Sequence, residues 1–171
     1  FTLLVEGQVD LLMAHQSGFT NAVALSGTSF TEAHASLIKR HADNLLIAFD
    51  GDIAGIAAAG RAAALALPAG LNAKIALLPG GADPADVMQK DPAEFKRVVR
   101  EAKHVIDFYL RHLGDSEHDA RRFKLEASRV VLPFLNLIQN AIDREHFVGR
   151  VAASLEVSED AIKQELSKLK N

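Results

Sequence analysis

The 171 residues of this chain, 49% of them hydrophobic, suffice for one domain or one plus a small appendage, and no stretch reaches the roughly 18 consecutive apolar residues of a membrane span. With no Cys there are neither disulfides nor thiolate zinc sites, and with no cationic leader the chain reads as cytoplasmic, with no membrane partner. The net charge of −3 is unevenly spread: residues 1–95 carry five Lys and Arg against ten Asp and Glu, a balance that suits divalent cations better than a grip on nucleic-acid phosphates.

The front half alternates short apolar runs with helical patterns, which predicts a parallel sheet with crossover helices. The runs are Thr2–Val5, Ala22–Leu25, Leu45–Phe49 and Ala73–Leu78. Between the first two, Val9, Leu12, Met13 and Gln16 share a helical face, and Gly18 follows as a stop. Thr31 is a good N-cap for the next helix, with Glu32 in its first turn and Ala35, Ile38 and Ala42 on its inner side. A third helix, about 54–67, is nearly all Ala, so it can lie close on a sheet; Pro68 and Gly70 end it. The loop Pro79-Gly80-Gly81-Ala82-Asp83-Pro84 has turn chemistry.

Beyond it the pattern is helical. Phe95, Val98, Val99, Ala102, Ile106, Tyr109, Leu110 and Leu113 recur at helical spacing, with Gly114 closing the run. A helix starting near Phe123 should kink or end at Pro133, and Ile142, Phe147, Val151 and Leu155 mark another. Ser158 caps the last, with Lys168 and Lys170 near its end. The expected fold class is α/β: a parallel-sheet core with flanking helices over residues 1–95, then an all-α helical subdomain over 96–171. Phe1 already lies inside an apolar run, so the chain reads as a piece of a longer protein with a partner segment upstream.

Chemistry concentrates where the strands end. Phe1-Thr2-Leu3-Leu4-Val5 runs into Glu6-Gly7, and Leu45-Leu46-Ile47-Ala48-Phe49 runs into Asp50-Gly51-Asp52. Ligands of open parallel sheets bind outside the carboxyl ends of the strands, so Glu6 and Asp50 converge if their strands are neighbours. Magnesium takes hard oxygen ligands, usually one or two carboxylates plus water and substrate phosphate. Glu6, Asp50 and Asp52 supply such a set as catalytic and metal-binding candidates. Asp10, one helical turn past Glu6, could be an outer ligand or simply favour a helix N-terminus; Asp83 could reach the same edge or simply fix the turn before Pro84.

These residues resemble a family. Val5-Glu6-Gly7-Gln8-Val9-Asp10, Leu25-Ser26-Gly27-Thr28 and Phe49-Asp50-Gly51-Asp52-Ile53-Ala54-Gly55 are similar to the Toprim domain shared by bacterial primases, topoisomerases, recombination mediators and small nucleases. Gly18-Phe19-Thr20-Asn21-Ala22-Val23-Ala24, the Leu78-Pro79-Gly80-Gly81 loop running into Asp83-Pro84, and Val157-Ser158-Glu159 favour the bacterial replicative primases. The likeness is strong over about 3–90 and looser beyond. It implies template-directed synthesis of short RNA primers for DNA replication, with Glu6 catalytic and a magnesium ligand, Asp50 bridging metals, Asp52 holding one, and manganese able to substitute. The implied partners are a single-stranded DNA template and nucleoside triphosphates, plus the replicative helicase through a C-terminal domain not visible here. Zinc would belong only to an upstream module, also not visible. The family loop usually reads Asp-Pro-Asp; here it is Asp83-Pro84-Ala85-Asp86, so no ligand role passes to Asp86. The acidic front half lacks a template grip of its own, so metal binding with little or no primer synthesis is expected of this chain alone.

Two other readings stay open. One is a Toprim-type nuclease; a topoisomerase lacks a nucleophile, because Tyr109 occupies a core-facing position. The other is a non-catalytic, acidic magnesium-binding α/β module of receiver type, against which stands Lys74 near the start of its strand rather than the end. The seven His residues (15, 34, 41, 104, 112, 118 and 146) show no ligand spacing. Gly27-Thr28-Ser29 reads first as a turn and second as a phosphate cradle. Lys96, Arg97, Arg100 and Lys103, with Arg121, Arg122 and Lys124, read first as solvated faces and second as phosphate contacts. The last two helices have helix-turn-helix spacing, but Glu159, Asp160 and Glu165 balance Lys163, Lys168 and Lys170.

Overall fold

Strand β1 (Thr2–Val5) lies at the heart of the first of two compact units, Phe1–His104 and Val105–Asn171, in a computed structural model that describes residues 1–117 and 119–169. His118 and Lys170, both weighed above, lie outside the described residues. The other strands of the first unit are β2 (Ala22–Ala24), β3 (Asn44–Ile47), β4 (Asn72–Ile75) and β5 (Lys103–His104), in the sheet order β2-β1-β3-β4-β5. The first four are parallel and β5 is antiparallel to β4, pairing His104 with Lys74. Helices α1 (Gln8–Gln16), α2 (Glu32–Lys39) and α3 (Ile53–Ala66) make the crossovers, and α4 (Pro84–Lys90) and α5 (Pro92–Glu101) lead to β5.

The central strands are buried on both faces, which is why they read as unbroken apolar runs rather than alternating ones. Leu3, Val5, Leu46 and Ala48 pack with Ala14 of α1, Val87 and Met88 of α4, and Phe95 and Val98 of α5. Phe19 meets the Phe95 ring edge-on at 5.3 Å. Alternate residues Leu4, Leu45 and Ile47 are equally buried and face the other way. Across that side lies α3, in contact with β3, β4 and α2, burying Ala59, Ala62, Ala63 and Ala66. Its first turn comes so near the strand end that a Cβ on Gly55 would overlap the Asp50 carbonyl.

Several elements differ from the expectation. Of the α1 face read from the sequence, Val9 and Leu12 are exposed while Met13 packs against the core beside Leu11, and the helix buries Asp10 and Ala14. The helical run expected from Phe95 to Leu113 is broken: Ala102, at φ −52° and ψ 133°, leaves the helix, and Lys103–His104 join the sheet edge. Two residues of strand are too short to disturb a helical periodicity, and pairing with β4 supplies what local preference does not. The expected division at 95/96 falls inside α5, whose buried Phe95 and Val98 belong to the sheet core, and the compact units divide after His104.

The second unit comprises α6 (Val105–Ser116), α7 (Ala120–Leu137), α8 (Ala141–Leu155) and α9 (Glu159–Lys168). Gly114 does not close its run; α6 continues two residues past it. Helix α7 runs through Pro133, because burial of Val131, Leu132, Phe134 and Leu135 outweighs the roughly 3 kcal/mol of a helical proline. Tyr109 stacks on Phe134 at 5.4 Å, and Arg150 of α8 bonds Asp107 of α6 at 2.9 Å. Asp119, Asn140 and Ser158 cap α7, α8 and α9. Among the described residues no helix is long and apolar enough to cross a membrane.

The close approach at Gly55 is testable. Ala is the better helix former by about 1 kcal/mol, yet Gly55→Ala is expected to lower unfolding free energy by about 2 kcal/mol, as overpacking against backbone does. Denaturant midpoints measure this; a variant as stable as wild type would contradict the contact.

Candidate metal centre

The strand order makes β1 and β3 neighbours, with Leu4 opposite Ile47. Pairing continues one step past the strands, where Ala48 N–H donates to the Leu4 carbonyl at 2.9 Å. Glu6 and Asp50 therefore leave the sheet side by side. On the other flank Ser26 N–H donates to the Glu6 carbonyl at 3.0 Å. A cleft of about 720 Å³ opens over these strand ends. It is bordered by Glu6, Asp50 and Asp83, by the largely buried Asp10, and by the Gly27-Thr28-Ser29 turn, with Gly7, Val9, Leu25 and Ala85 completing it.

The loops are held tightly. Gly51 N–H donates to the Ala82 carbonyl at 3.0 Å, and a Cβ on Gly51 would stand 2.5 Å from the Leu78 carbonyl. Only glycine lets the Asp50 loop lie against the Leu78–Ala82 loop, which itself turns through Gly80 and Gly81 at positive φ. On the opposite wall, Ser26 and Gly27 take φ of 52° and 82°, and the Thr28 hydroxyl donates to the Leu25 carbonyl at 2.8 Å. Thus Gly27-Thr28-Ser29 is a turn that also borders the cleft.

The candidate acids hold different positions. Glu6, Asp50 and Asp83 line the cleft. Asp83 is also the N-cap of α4, accepting from Asp86 N–H at 2.6 Å. Asp52 is not on the cleft wall; it caps α3 by accepting from Gly55 N–H at 2.7 Å. Asp10 is only 8% exposed, and both its oxygens are engaged, Oδ2 by Gly7 N–H at 2.9 Å and Oδ1 by Ala85 N–H at 3.1 Å. Among the described residues no group of three or more His, Cys, Asp and Glu stands close enough to hold an ion in common. Asp86 is exposed, 3.8 Å from Lys90, and none of the described histidines lines the cleft. Arg97, in the basic stretch, is taken up by Glu94 and Glu101, and Lys163 and Lys168 by Glu145 and Glu165.

Glu6 is held above its ordinary pKa, first by burial and then by repulsion from Asp50; the Asp50 amide partly offsets this, and Asp10 and Asp52 add to it. Asp50 is raised by burial, then by Asp10, Asp83 and Asp52. Asp10 is raised by burial, against the pull of its two amide partners, with Asp83 adding repulsion. Partly desolvated oxygens that repel one another are a donor set a divalent cation would relieve, and their hardness fits magnesium.

A Toprim-like family model matches residues 3–88. The chain belongs to the Toprim-like family. It is also similar along nearly its whole length to bacterial DNA primases. It is 35% identical over 170 residues to the DNA primase of Halalkalibacterium halodurans, covering 95% of this chain, and 38% identical over 112 residues to that of Campylobacter jejuni, covering 65%. The chain spans only 28% and 18% of those proteins. Among solved structures, the Aquifex aeolicus primase (zinc-binding and RNA polymerase domains) superposes with a TM-score of 0.80 at 27% identity, covering 95% of this chain and 39% of that one. A DNA primase domain from Pseudomonas aeruginosa gives 0.80 at 26%, covering 97% and 54%. A primase catalytic domain bound to single-stranded DNA gives 0.77 at 28%, covering 94% and 52%.

Raised carboxylates make the folded Toprim-like unit bind protons more tightly than the unfolded chain. Their contribution to stability is full below the ordinary carboxylate range and is lost as pH rises through the raised values. Asp50→Asn removes one repelling charge. In metal-free buffer it is expected to raise the thermal midpoint by about 1–3 °C at pH 7.5, with the difference gone near pH 3.5. Equal midpoints at both pH values in calorimetry would show that these charges do not oppose folding.

Proposed function

We propose that this chain is the metal-binding core and adjoining helical subdomain of the RNA polymerase domain of a bacterial DNA primase. In that reading the unit Phe1–His104 holds the catalytic core and Val105–Asn171 is the helical subdomain, and the whole protein makes short RNA primers on single-stranded DNA from nucleoside triphosphates. The observation that carries it is the meeting of Glu6 and Asp50 from adjacent strand ends in one acidic cleft, within a chain that matches primases over almost all its length.

Glu6 and Asp50 are the proposed inner ligands, with Asp83 beside them on the cleft wall. Magnesium, or manganese in its place, would polarise the triphosphate and lower the pKa of the attacking primer hydroxyl. Two carboxylates are enough for an ion that completes its shell with water and phosphate oxygens. Asp52, proposed as a further ligand, has one oxygen bound in the α3 cap, leaving the other to turn toward an ion. The Thr28 and Ser29 wall faces these acids across the cleft, where a substrate would enter. Template grip, a zinc module and the helicase contact belong to parts of the longer protein outside this chain, and the setting is the cytoplasm at a replication fork.

Incorporation of labelled nucleotide into primers on a single-stranded template, by the full-length protein, tests this. Glu6→Gln and Asp50→Asn are each expected to lower it at least about 100-fold, since a bound metal supplies several kcal/mol of charge stabilisation in the transition state, with folding intact. Unchanged synthesis in both variants would remove the proposal, and metal-dependent cutting of DNA or RNA would favour a nuclease.

A further inference from the structure

We infer that Asp10 is a positioning residue: its carboxylate ties the turn that carries Glu6 to the loop that carries Asp83, and so sets the width of the acidic cleft. The inference rests on the metal-site reading above and deepens it.

Four observations carry it. Asp10 is one of the few polar side chains buried in the chain, though it sits on a helix whose apolar Val9 and Leu12 are exposed. Its two oxygens reach in different directions, one to the Gly7 amide three residues back and one to the Ala85 amide 75 residues on. Gly7 directly follows Glu6, and Ala85 lies two residues beyond Asp83. The same segment is held from its other side by the bond from Gly51 N–H to the Ala82 carbonyl. Asp83 thus stands between two ties, one to the Asp50 loop and one to the Glu6 turn. The Asp50 tie is backbone to backbone; the Glu6 tie is made by a side chain, and Asp10 is that side chain.

The chemistry requires a carboxylate. Two amide donors arriving from different elements need two acceptor oxygens. Asn offers one oxygen and an amino group that would face an N–H, so one of the two ties must break. With both oxygens already accepting and little access to solvent, Asp10 stabilises the site through its neighbours rather than by ligating.

Manganese affinity of this chain, read by water proton relaxation, separates the two roles. Asp83→Asn and Asp10→Asn are each expected to weaken binding by about tenfold if one acts through the other, and the double variant to be no more than twofold weaker than Asp83→Asn. Multiplied effects would make Asp10 an independent ligand and overturn the inference, as would an Asp10→Asn chain that binds within twofold of wild type. Hydrogen exchange on the unmutated chain gives a second measure that does not depend on the variant folding. The Gly7 and Ala85 amides should stay protected when magnesium is added, and their release would show Asp10 turning to the ion. A wild-type chain that binds no manganese would remove the metal reading and this inference with it. A wild-type chain that binds, beside an indifferent Asp10→Asn, would remove the inference alone.

Discussion

Adjacency of two parallel strands is the constraint on which the site depends. Because Leu4 pairs with Ile47, the chain emerging from β1 and the chain emerging from β3 leave the sheet as neighbours, and their first charged residues are acids. Both are held above their ordinary carboxylate range, Glu6 by burial and then by Asp50, Asp50 by burial and then by Asp10 and Asp83, and charges so placed oppose folding. The opposition is tolerated because Leu3, Leu4, Val5, Leu45, Leu46 and Ile47 bury almost completely, which leaves the strand ends no freedom to spread.

Glycine and capping then decide how closely the loops can follow the strands. Gly51 allows the Asp50 loop to rest on the Leu78 carbonyl, and Gly55 allows α3 to begin against the Asp50 carbonyl. Asp52 and Asp83 each spend one oxygen on a helix N-terminus, which orients the first turns of α3 and α4 beside the cleft. An acidic residue here therefore has two kinds of work. Some carboxylates hold backbone in place, and that placement lets others remain bare in the cleft.

Longer-range organisation follows the same economy. The first unit is a sheet flanked by helices, with Glu6, Asp50 and Asp83 gathered at one cleft; the second is a set of four helices, three of them with side-chain caps, and several of its surface cations are met by carboxylates on the same or a neighbouring helix. Part of the basic surface of the second unit is thus neutralised locally. A cleft lined by acids and hydroxyls suits a cation that carries phosphate in with it, and does not suit phosphate by itself.

Much was legible in the sequence by itself. Unbroken apolar runs marked β1 and β3, because strands buried on both faces leave no room for alternation; Thr31 and Ser158 marked helix starts through local hydrogen bonding; and Glu6-Gly7 and Asp50-Gly51 marked acids at strand ends, which the strand order brings to one cleft. What required the tertiary structure is whatever depends on a partner far along the chain. Asp10 is the first-turn acid its place in the sequence suggests, but that its other oxygen meets Ala85 depends on a segment 75 residues on. Val9, Leu12 and Met13 share a helical face in sequence, and only the packed helix shows Met13 turned to the core with Val9 and Leu12 left in solvent. Lys103–His104 looked helical until β4 offered an edge. Periodicity and capping are properties of neighbours in sequence, whereas orientation of a helix and the closing of a sheet are set by contacts that exist only once distant segments have packed.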